Sequence, residues 1–158
     1  MIRRAREDEL ELLIEIEREA GRAFAEIGMP EIARDDPGTV EDVRGAWVAV
    51  DGADRPVAYV VSRVVDGVTH VEQVTVAPSH ARRGIGAALI DHLGAPVTLT
   101  TFRDVPWNAP YYARLGFEVV PPEEQGPELA ALVRDEAERI PGDAPRVAMR
   151  RGNMVTPV

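Results

Sequence analysis

The stretch of sequence that decides the fold is Val74–Ala87, which reads VTVAPSHARRGIGA. A run rich in β-branched residues stops at Pro78, a loop with paired arginines follows, and a short helical pattern starts at Gly84. Where a loop enters a helix, several main-chain N–H groups have no partner within the helix and lie at the positive end of its dipole. An anion such as a pyrophosphate can therefore be held there without a lysine side chain.

The elements before this stretch are predicted from hydrophobic periodicity. They are a strand at Ile2–Arg4, a helix over about residues 7–27, a short second helix that starts at Thr39–Asp42, and strands at Trp47–Val50, Val57–Val65 and Thr69–Ala77. The dipeptide Asp66-Gly67 between the last two strands is a strong signal for a two-residue hairpin turn. The sequence therefore predicts an antiparallel meander that leads into the loop.

The elements after the loop alternate between helix and strand. They are a helix at Gly84–Leu93, a strand at Val97–Thr101, a helix from Asn108 to Gly116, a strand at Phe117–Val120, a helix at Pro127–Arg139 and a strand at Arg146–Arg150. A strand-helix-strand crossover joins parallel strands, so the strands at 69–77 and 97–101 should be parallel. The prediction is a mixed α/β fold, with a mostly antiparallel sheet of about seven strands and helices on both faces.

Composition excludes several classes of protein. The 158 residues fit a single domain, and 18 basic against 27 acidic residues give a net charge of −9, which disfavours nucleic acid and anionic membranes as partners. All basic residues are arginine and cysteine is absent, which excludes Schiff-base lysines, phosphate-loop lysines, cysteine nucleophiles and disulfides. The amino terminus lacks the apolar run of a signal peptide, so we expect a cytoplasmic protein.

The loop at residues 82–86 stands out in an acidic chain. Residues 73–103 carry three arginines against Asp91 alone, a local charge of +2, whereas the rest of the chain carries −11. A dinucleotide-binding fingerprint fails, because Leu89 stands where the third glycine belongs. These residues alone fit an anion site and an ordinary glycine-rich turn with solvated arginines equally well.

Two motifs together resemble the GNAT superfamily of N-acetyltransferases. Ala81–Gly86, which follows Val76-Ala77-Pro78, is similar to the acetyl-CoA loop of that family, [QR]-x-x-G-x-[GA]. Ala81 departs from the pattern at its first position, and the helix that follows is shorter than usual. The second motif is NAPYYARLGF at residues 108–117, with Tyr112 four residues before Gly116. Asn108 fits this motif and fits an ordinary helix N-cap equally well.

The resemblance implies an acetyl-CoA-dependent N-acetyltransferase that occupies the whole chain, 1–158. It implies that the parallel strands splay apart, that pantetheine pairs with the backbone at Val74 and Val76, and that acetyl passes directly to a primary amine in a ternary complex. The residues expected to bind acetyl-CoA are Val74, Val76, Arg82, Arg83, Gly84, Ile85, Gly86, Ala87, Asn108 and Tyr112.

Two side chains are candidates for proton transfer. The resemblance gives Tyr112 the role of protonating the departing thiolate, although a core aromatic residue would also explain it. Glu72 shares strand parity with Val74 and Val76, so without a bulge it lies beside the thioester and could deprotonate the amine. An exposed strand glutamate is the simpler explanation of Glu72.

Other interpretations stay open. A non-catalytic acyl-CoA-binding module would need the glycine loop but neither Glu72 nor Tyr112, and a different nucleotide binder would leave the Tyr112 motif unexplained. The three histidines lack a metal-binding spacing, so we expect no metal. The acidic surface suits a cationic amine, either a small molecule or a protein amino group. Exposed apolar edges would allow a homodimer, although no feature specifies one.

Overall fold

The computed structural model describes residues 1–26, 40, 42–104, 108–139 and 145–152. Within them lie seven strands and four α-helices. In chain order they are β1 (Ile2–Arg4), α1 (Leu10–Glu26), β2 (Ala46–Val50), β3 (Pro56–Val65), β4 (Val68–Val76), α2 (Ile85–His92), β5 (Val97–Phe102), α3 (Ala109–Arg114), β6 (Glu118–Val120), α4 (Pro127–Arg139) and β7 (Arg146–Arg151).

The seven strands form one mixed sheet in the order β1-β2-β3-β4-β5-β7-β6. The pairs β1/β2, β2/β3, β5/β7 and β6/β7 are antiparallel, and β4/β5 is parallel, as the crossover predicted. The turn from β3 to β4 has positive φ at both central residues, 52° at Asp66 and 77° at Gly67, which is the hairpin conformation that the dipeptide predicts. The predicted fold class is confirmed.

Two compact units divide the chain. Unit 1 comprises Met1–Ser62 and Glu72–His92, and unit 2 comprises Arg63–Val71 and Leu93–Val158. In unit 1, α1 packs on one face of its strands through Leu13 and Ile16, which form a buried cluster with Val48, Tyr59 and Val61. Helix α2 lies on the other face, because the methyl groups of valines on β4 approach Gly86.

In unit 2, the hairpin turn is fixed to the start of α4. The carboxylate of Asp66 accepts hydrogen bonds from the main-chain N–H groups of Glu128 and Leu129, both at 3.0 Å. In return, the N–H of Asp66 donates to the Glu128 carboxylate at 2.8 Å. These are reciprocal helix-capping bonds between segments more than 60 residues apart in sequence. The side chains of Val65, Val120 and Leu129 form a buried cluster nearby.

Most predicted elements agree with the structure to within a few residues. The first predicted helix is a 3₁₀ turn at Glu7–Glu9 followed by α1. The second predicted helix, which starts at Thr39–Asp42, does not continue through the described residues 42–45, which form a bend and a turn before β2; residues 39 and 41 lie outside the described ones. The prediction is wrong over 42–45 because the Asp42 carboxylate accepts a hydrogen bond from the N–H of Arg44 at 2.6 Å, a local bond that competes with the helix.

Candidate active site

The loop between β4 and α2 has the backbone conformation of an anion cradle. A 3₁₀ turn at Pro78–His80 follows β4. Arg82 and Gly84 then adopt positive φ angles of 65° and 75°. Residues in the left-handed region that alternate with ordinary residues turn successive N–H groups toward one point, which is how main-chain nests bind anions. The predicted pyrophosphate loop therefore has suitable local geometry.

The first turn of α2 supplies further donors. The first helical hydrogen bond runs from the N–H of Ala88 to the carbonyl of Gly84 at 3.0 Å. The N–H groups of Ile85, Gly86 and Ala87 precede it, and within the described part of the chain they have no main-chain acceptor. Three donors at the positive end of a helix dipole fit a phosphate group. The residues predicted at 85–87 thus offer main-chain donors rather than polar side chains.

The two glycines of the loop have different structural requirements. A Cβ at Gly84 would meet no atom within 4 Å, but its φ of 75° lies in the left-handed region. A Cβ at Gly86 would lie 3.6 and 3.9 Å from the methyl groups of Val76 and Val74, which are ordinary contacts. At position 84, the backbone conformation therefore favours glycine over any other residue. At 86 the missing side chain faces β4 and not the end of the helix.

Charge at the loop comes from Arg82 and Arg83, whose side chains are both exposed. Nearby, the pKa of Asp51 is lowered mainly by hydrogen bonds from the N–H groups of Arg55 and Ala53, and the charge of His80 in the loop lowers it a little further. The side chains of Arg82 and Arg83 are thus in contact with solvent.

Strand β4 contributes to both units. Its parallel pairing with β5 joins Thr69–Val71 to Val97–Leu99, although β4 continues to Val76 and β5 to Phe102. Within unit 1, Val74 and Val76 are half-buried and Glu72 is exposed. Strand alternation places Glu72 on the α2 face together with the two valines. Main-chain groups of β4 beyond residue 71 are thus outside the ladder with β5.

The second motif forms α3 of unit 2 and the turn after it. Asn108 stands at the N-cap position, yet its side chain makes no capping hydrogen bond. Its carbonyl accepts a hydrogen bond from the N–H of Tyr112 at 2.9 Å. Among the described residues, the ordinary capping role considered for the Asn108 amide is therefore not seen.

Tyr112 is half-buried between two aromatic rings. Its ring centroid lies 5.3 Å from that of Tyr111 and 5.7 Å from that of Phe117, both in edge-to-face geometry. Burial raises the pKa of Tyr112 above its ordinary value, and the neighbouring Tyr111 adds to the rise. A phenol with a raised pKa stays protonated at neutral pH, as a proton donor must.

The histidines do not form a metal site in the described parts of the chain, where no group of three or more His, Asp and Glu side chains is placed to hold an ion. His70 is buried in unit 2, and its Nδ1 lies 2.7 Å from Thr98 Oγ1. Burial lowers the pKa of His70 to about 4. From the sequence, Trp107 beside Asn108 and the Gly28–Gly38 region are plausible walls for an acceptor pocket, and both lie outside the described residues.

One polar cluster was missed by the sequence analysis. On the α1 face of unit 1, the fully buried Tyr59 lies near Gln73 and Thr75 of β4 and near Glu17 of α1. Gln73 Nε2 donates to Thr75 Oγ1 at 3.4 Å. The signal available in the sequence was alternation along β4, because Gln73 and Thr75 share the face opposite to Val74 and Val76.

Residues 42–119 match the family model described as an acetyltransferase (GNAT) domain. This range contains both motifs and every predicted site residue. The structure is similar to that of a GNAT-family acetyltransferase from Staphylococcus aureus Mu50, with 17% identity and a TM-score of 0.67 over 96% of this chain and 97% of that one. No helix among the described residues has the length and apolar character needed to span a membrane.

Two further similar structures contain coenzyme A. PaiA N-acetyltransferase from Thermoplasma acidophilum, in complex with coenzyme A, has 15% identity and a TM-score of 0.64 over 97% of this chain and 98% of that one. Rv2747 from Mycobacterium tuberculosis, in complex with CoA and NLQ, has 19% identity and a TM-score of 0.61 over 98% and 99%. The resemblance to the GNAT superfamily is therefore confirmed: residues 42–119 match its acetyltransferase domain, and the chain has its fold.

Proposed function

We propose that this chain is an N-acetyltransferase that transfers the acetyl group of acetyl-CoA directly to a primary amine, and that residues 1–158 work as one domain in the cytoplasm. The observation that carries the proposal is the loop after β4. There, positive φ angles at Arg82 and Gly84 precede three main-chain donors of α2. The GNAT match over residues 42–119 and the coenzyme A bound to similar proteins support acetyl-CoA as the ligand of this cradle.

Binding of acetyl-CoA would be divided between main chain and side chains. The N–H groups of residues 84–87 would hold the pyrophosphate, and Arg82 and Arg83 would neutralise its charge. Main-chain groups of Val74 and Val76 would pair with the pantetheine arm, because they lie beyond the last pair of the β4/β5 ladder. A strand N–H there would also stabilise the oxyanion that forms at the thioester carbonyl. The Asn108 amide, which makes no cap, would complete the set.

The chemistry moves three protons. An alkylammonium with a pKa near ~10.4 must lose a proton before its nitrogen can attack, and Glu72 would accept that proton through water. The nitrogen then forms a bond to the acetyl carbon, the carbon–sulfur bond breaks, and Tyr112 would donate its phenolic proton to the leaving thiolate. The second proton that the nitrogen loses as it becomes an amide would pass through water to the Tyr112 phenolate and restore the phenol. No cysteine is present to form an acyl-enzyme, so direct transfer is the simplest route.

Two measurements test the proposal. Calorimetry should detect binding of acetyl-CoA but not of ATP or NAD, because only acetyl-CoA offers both a pyrophosphate and an arm that can pair with β4. A thiol-release assay with acetyl-CoA and a panel of primary amines should then identify at least one acceptor. Binding without turnover on any amine would favour the non-catalytic acyl-CoA module, and the absence of binding would overturn the proposal.

A further inference from the structure

Strand β5 of unit 2 loses one of its two neighbours halfway along its length. It pairs with β7 over Val97–Phe102, but within the described residues it pairs with β4 only over Val97–Leu99. One edge of Thr100–Phe102 therefore has no ladder. Unpaired main-chain groups at a strand edge favour further pairing, so the ladder with β4 would tend to continue past Leu99 unless other contacts hold β5 in place.

The side-chain partners of β5 change at the same point. Thr98 and Thr100 are two residues apart and share one face of the strand. Before the end of the ladder, Thr98 Oγ1 lies 2.7 Å from Nδ1 of His70 on β4. After it, Thr100 Oγ1 donates a hydrogen bond to Oε1 of Glu136 on α4 at 2.5 Å. The first contact ties β5 to β4, and the second ties β5 to the helix.

The contact with α4 belongs to a half-buried ion pair. Nε of Arg146 on β7 donates to Oε1 of Glu136 at 3.1 Å, and the two side chains are 12% and 16% exposed. The Arg146 guanidinium also donates to Thr100 Oγ1 at 3.4 Å and lies 4.7 Å from the ring centroid of Phe102. Buried ion pairs often add little net stability, and their best-attested role is to fix register. This pair joins α4 and β7 to the part of β5 that lacks β4.

We propose that Thr100, Glu136 and Arg146 form a brace that holds β5 in place where its ladder with β4 ends, and that they are positioning residues for acetyl-CoA. This inference rests on the proposed N-acetyltransferase function, in which the pantetheine arm pairs with β4 beyond that ladder. A β5 that is tied to α4 and β7 keeps the end of the ladder at Leu99. The three side chains thus act through the main chain of β5 and not on the reacting atoms.

Amide hydrogen exchange in the free, full-length protein tests the brace. Thr100→Val removes the hydroxyl and leaves the Glu136–Arg146 pair. We expect the protected amides of Thr100–Phe102 to exchange about tenfold faster, because a hydrogen bond to a charged group is lost, and those of Val97–Leu99 to stay within about twofold. Thr100→Ser keeps the hydroxyl and should exchange at wild-type rates. An equal change in both halves of β5, or no change, would overturn the brace.

Titration calorimetry with acetyl-CoA tests the positioning role. Thr100→Val and Glu136→Gln should each raise the Kd about tenfold, and Thr100→Ser should bind like the wild type. The matched control is Glu124→Gln, which removes an exposed ion pair with Arg150 on the same strand β7 and should keep the Kd within about twofold. Wild-type affinity in Thr100→Val and Glu136→Gln, or equally weakened binding in the control, would overturn the positioning role. If the wild type does not bind acetyl-CoA, the proposed function fails, and hydrogen exchange alone decides the brace.

Discussion

Replacing Gly84 by alanine should damage the phosphate cradle without any steric clash. A Cβ at this position meets nothing within 4 Å, so the whole effect must come from the backbone, whose φ is 75°. For an L-residue other than glycine, the left-handed region costs about 1–2 kcal/mol. In a domain of this length, each kcal/mol lowers the Tm by about 2–4 °C, so Gly84→Ala should lower it by about 2–8 °C.

The same substitution should weaken the binding of acetyl-CoA. The loop can relieve the strain only by leaving the left-handed conformation, which turns the N–H groups at the start of α2 away from their common point. Loss of one hydrogen bond to a charged oxygen costs about 1.5–3 kcal/mol, so the Kd for acetyl-CoA should rise about tenfold to a hundredfold. Gly84→Asn should have a smaller effect, because asparagine tolerates this conformation better.

Gly86→Ala is the matched comparison, two residues along the same segment. Its Cβ would lie 3.6 and 3.9 Å from valine methyl groups, and its φ is not positive. Within a helix, alanine is also more stable than glycine by about 0.5–1 kcal/mol, so the Tm of Gly86→Ala should equal or exceed that of the wild type. Differential scanning calorimetry measures the Tm of both variants, and titration calorimetry measures their Kd for acetyl-CoA. Equal Tm and Kd values for Gly84→Ala and Gly86→Ala would refute the conformational explanation of the cradle.

Three further predictions concern unit 2. Tyr112→Phe should lower kcat about 10²-fold or more while leaving the Tm and the Kd for acetyl-CoA nearly unchanged, and unaltered kinetics would remove Tyr112 from the mechanism. Asp66→Ala should lower the free energy of unfolding by about 1–2 kcal/mol in urea titrations, because α4 loses its cap. Asp66→Asn keeps an acceptor oxygen and should lose less stability, and equal stability of the wild type and both variants would contradict the capping role. His70 has a pKa of about 4 in the folded protein and of about 6.5 in the unfolded protein, so the fold favours its neutral form. The contribution of His70 to the free energy of unfolding should be complete above pH 6.5 and should fall by up to about 1.4 kcal/mol per pH unit between pH 6.5 and 4. His70→Gln should remove this slope, and an NMR titration of His70 with a midpoint near pH 6.5 would contradict its burial.

The fold was largely predictable because its signals are local. The Asp66-Gly67 turn needs two positive φ angles, which that dipeptide supplies at low cost, and the structure has both. The limits of α4 coincide with the predicted ones, since Pro127 suits the first turn and the helical pattern ends at Arg139. The parallel β4/β5 pair followed from the strand-helix-strand order of the crossover.

In the candidate site, a sequence can predict the local backbone conformation more readily than the packing. Gly84 has the positive φ expected of a glycine that opens an anion loop. For Gly86 the direction of the missing Cβ could not be predicted, because it depends on tertiary packing, and in the structure it points toward Val74 and Val76. The packing of α2 on β4 therefore decides whether the loop tolerates a side chain at position 86.

Features made by residues far apart in sequence had no such signal. The Asp66 carboxylate reads as a turn residue, and its second role at the start of α4 exists only because the chain brings residues 66 and 128 together. Tyr59 likewise has the pattern of one more core aromatic in an apolar strand, and its closeness to Gln73, Thr75 and Glu17 exists only because the fold brings β3, β4 and α1 together. Because a lone tyrosine in a strand pattern is explained by packing, only the polar groups around the folded residue show how its hydroxyl is accommodated in the core.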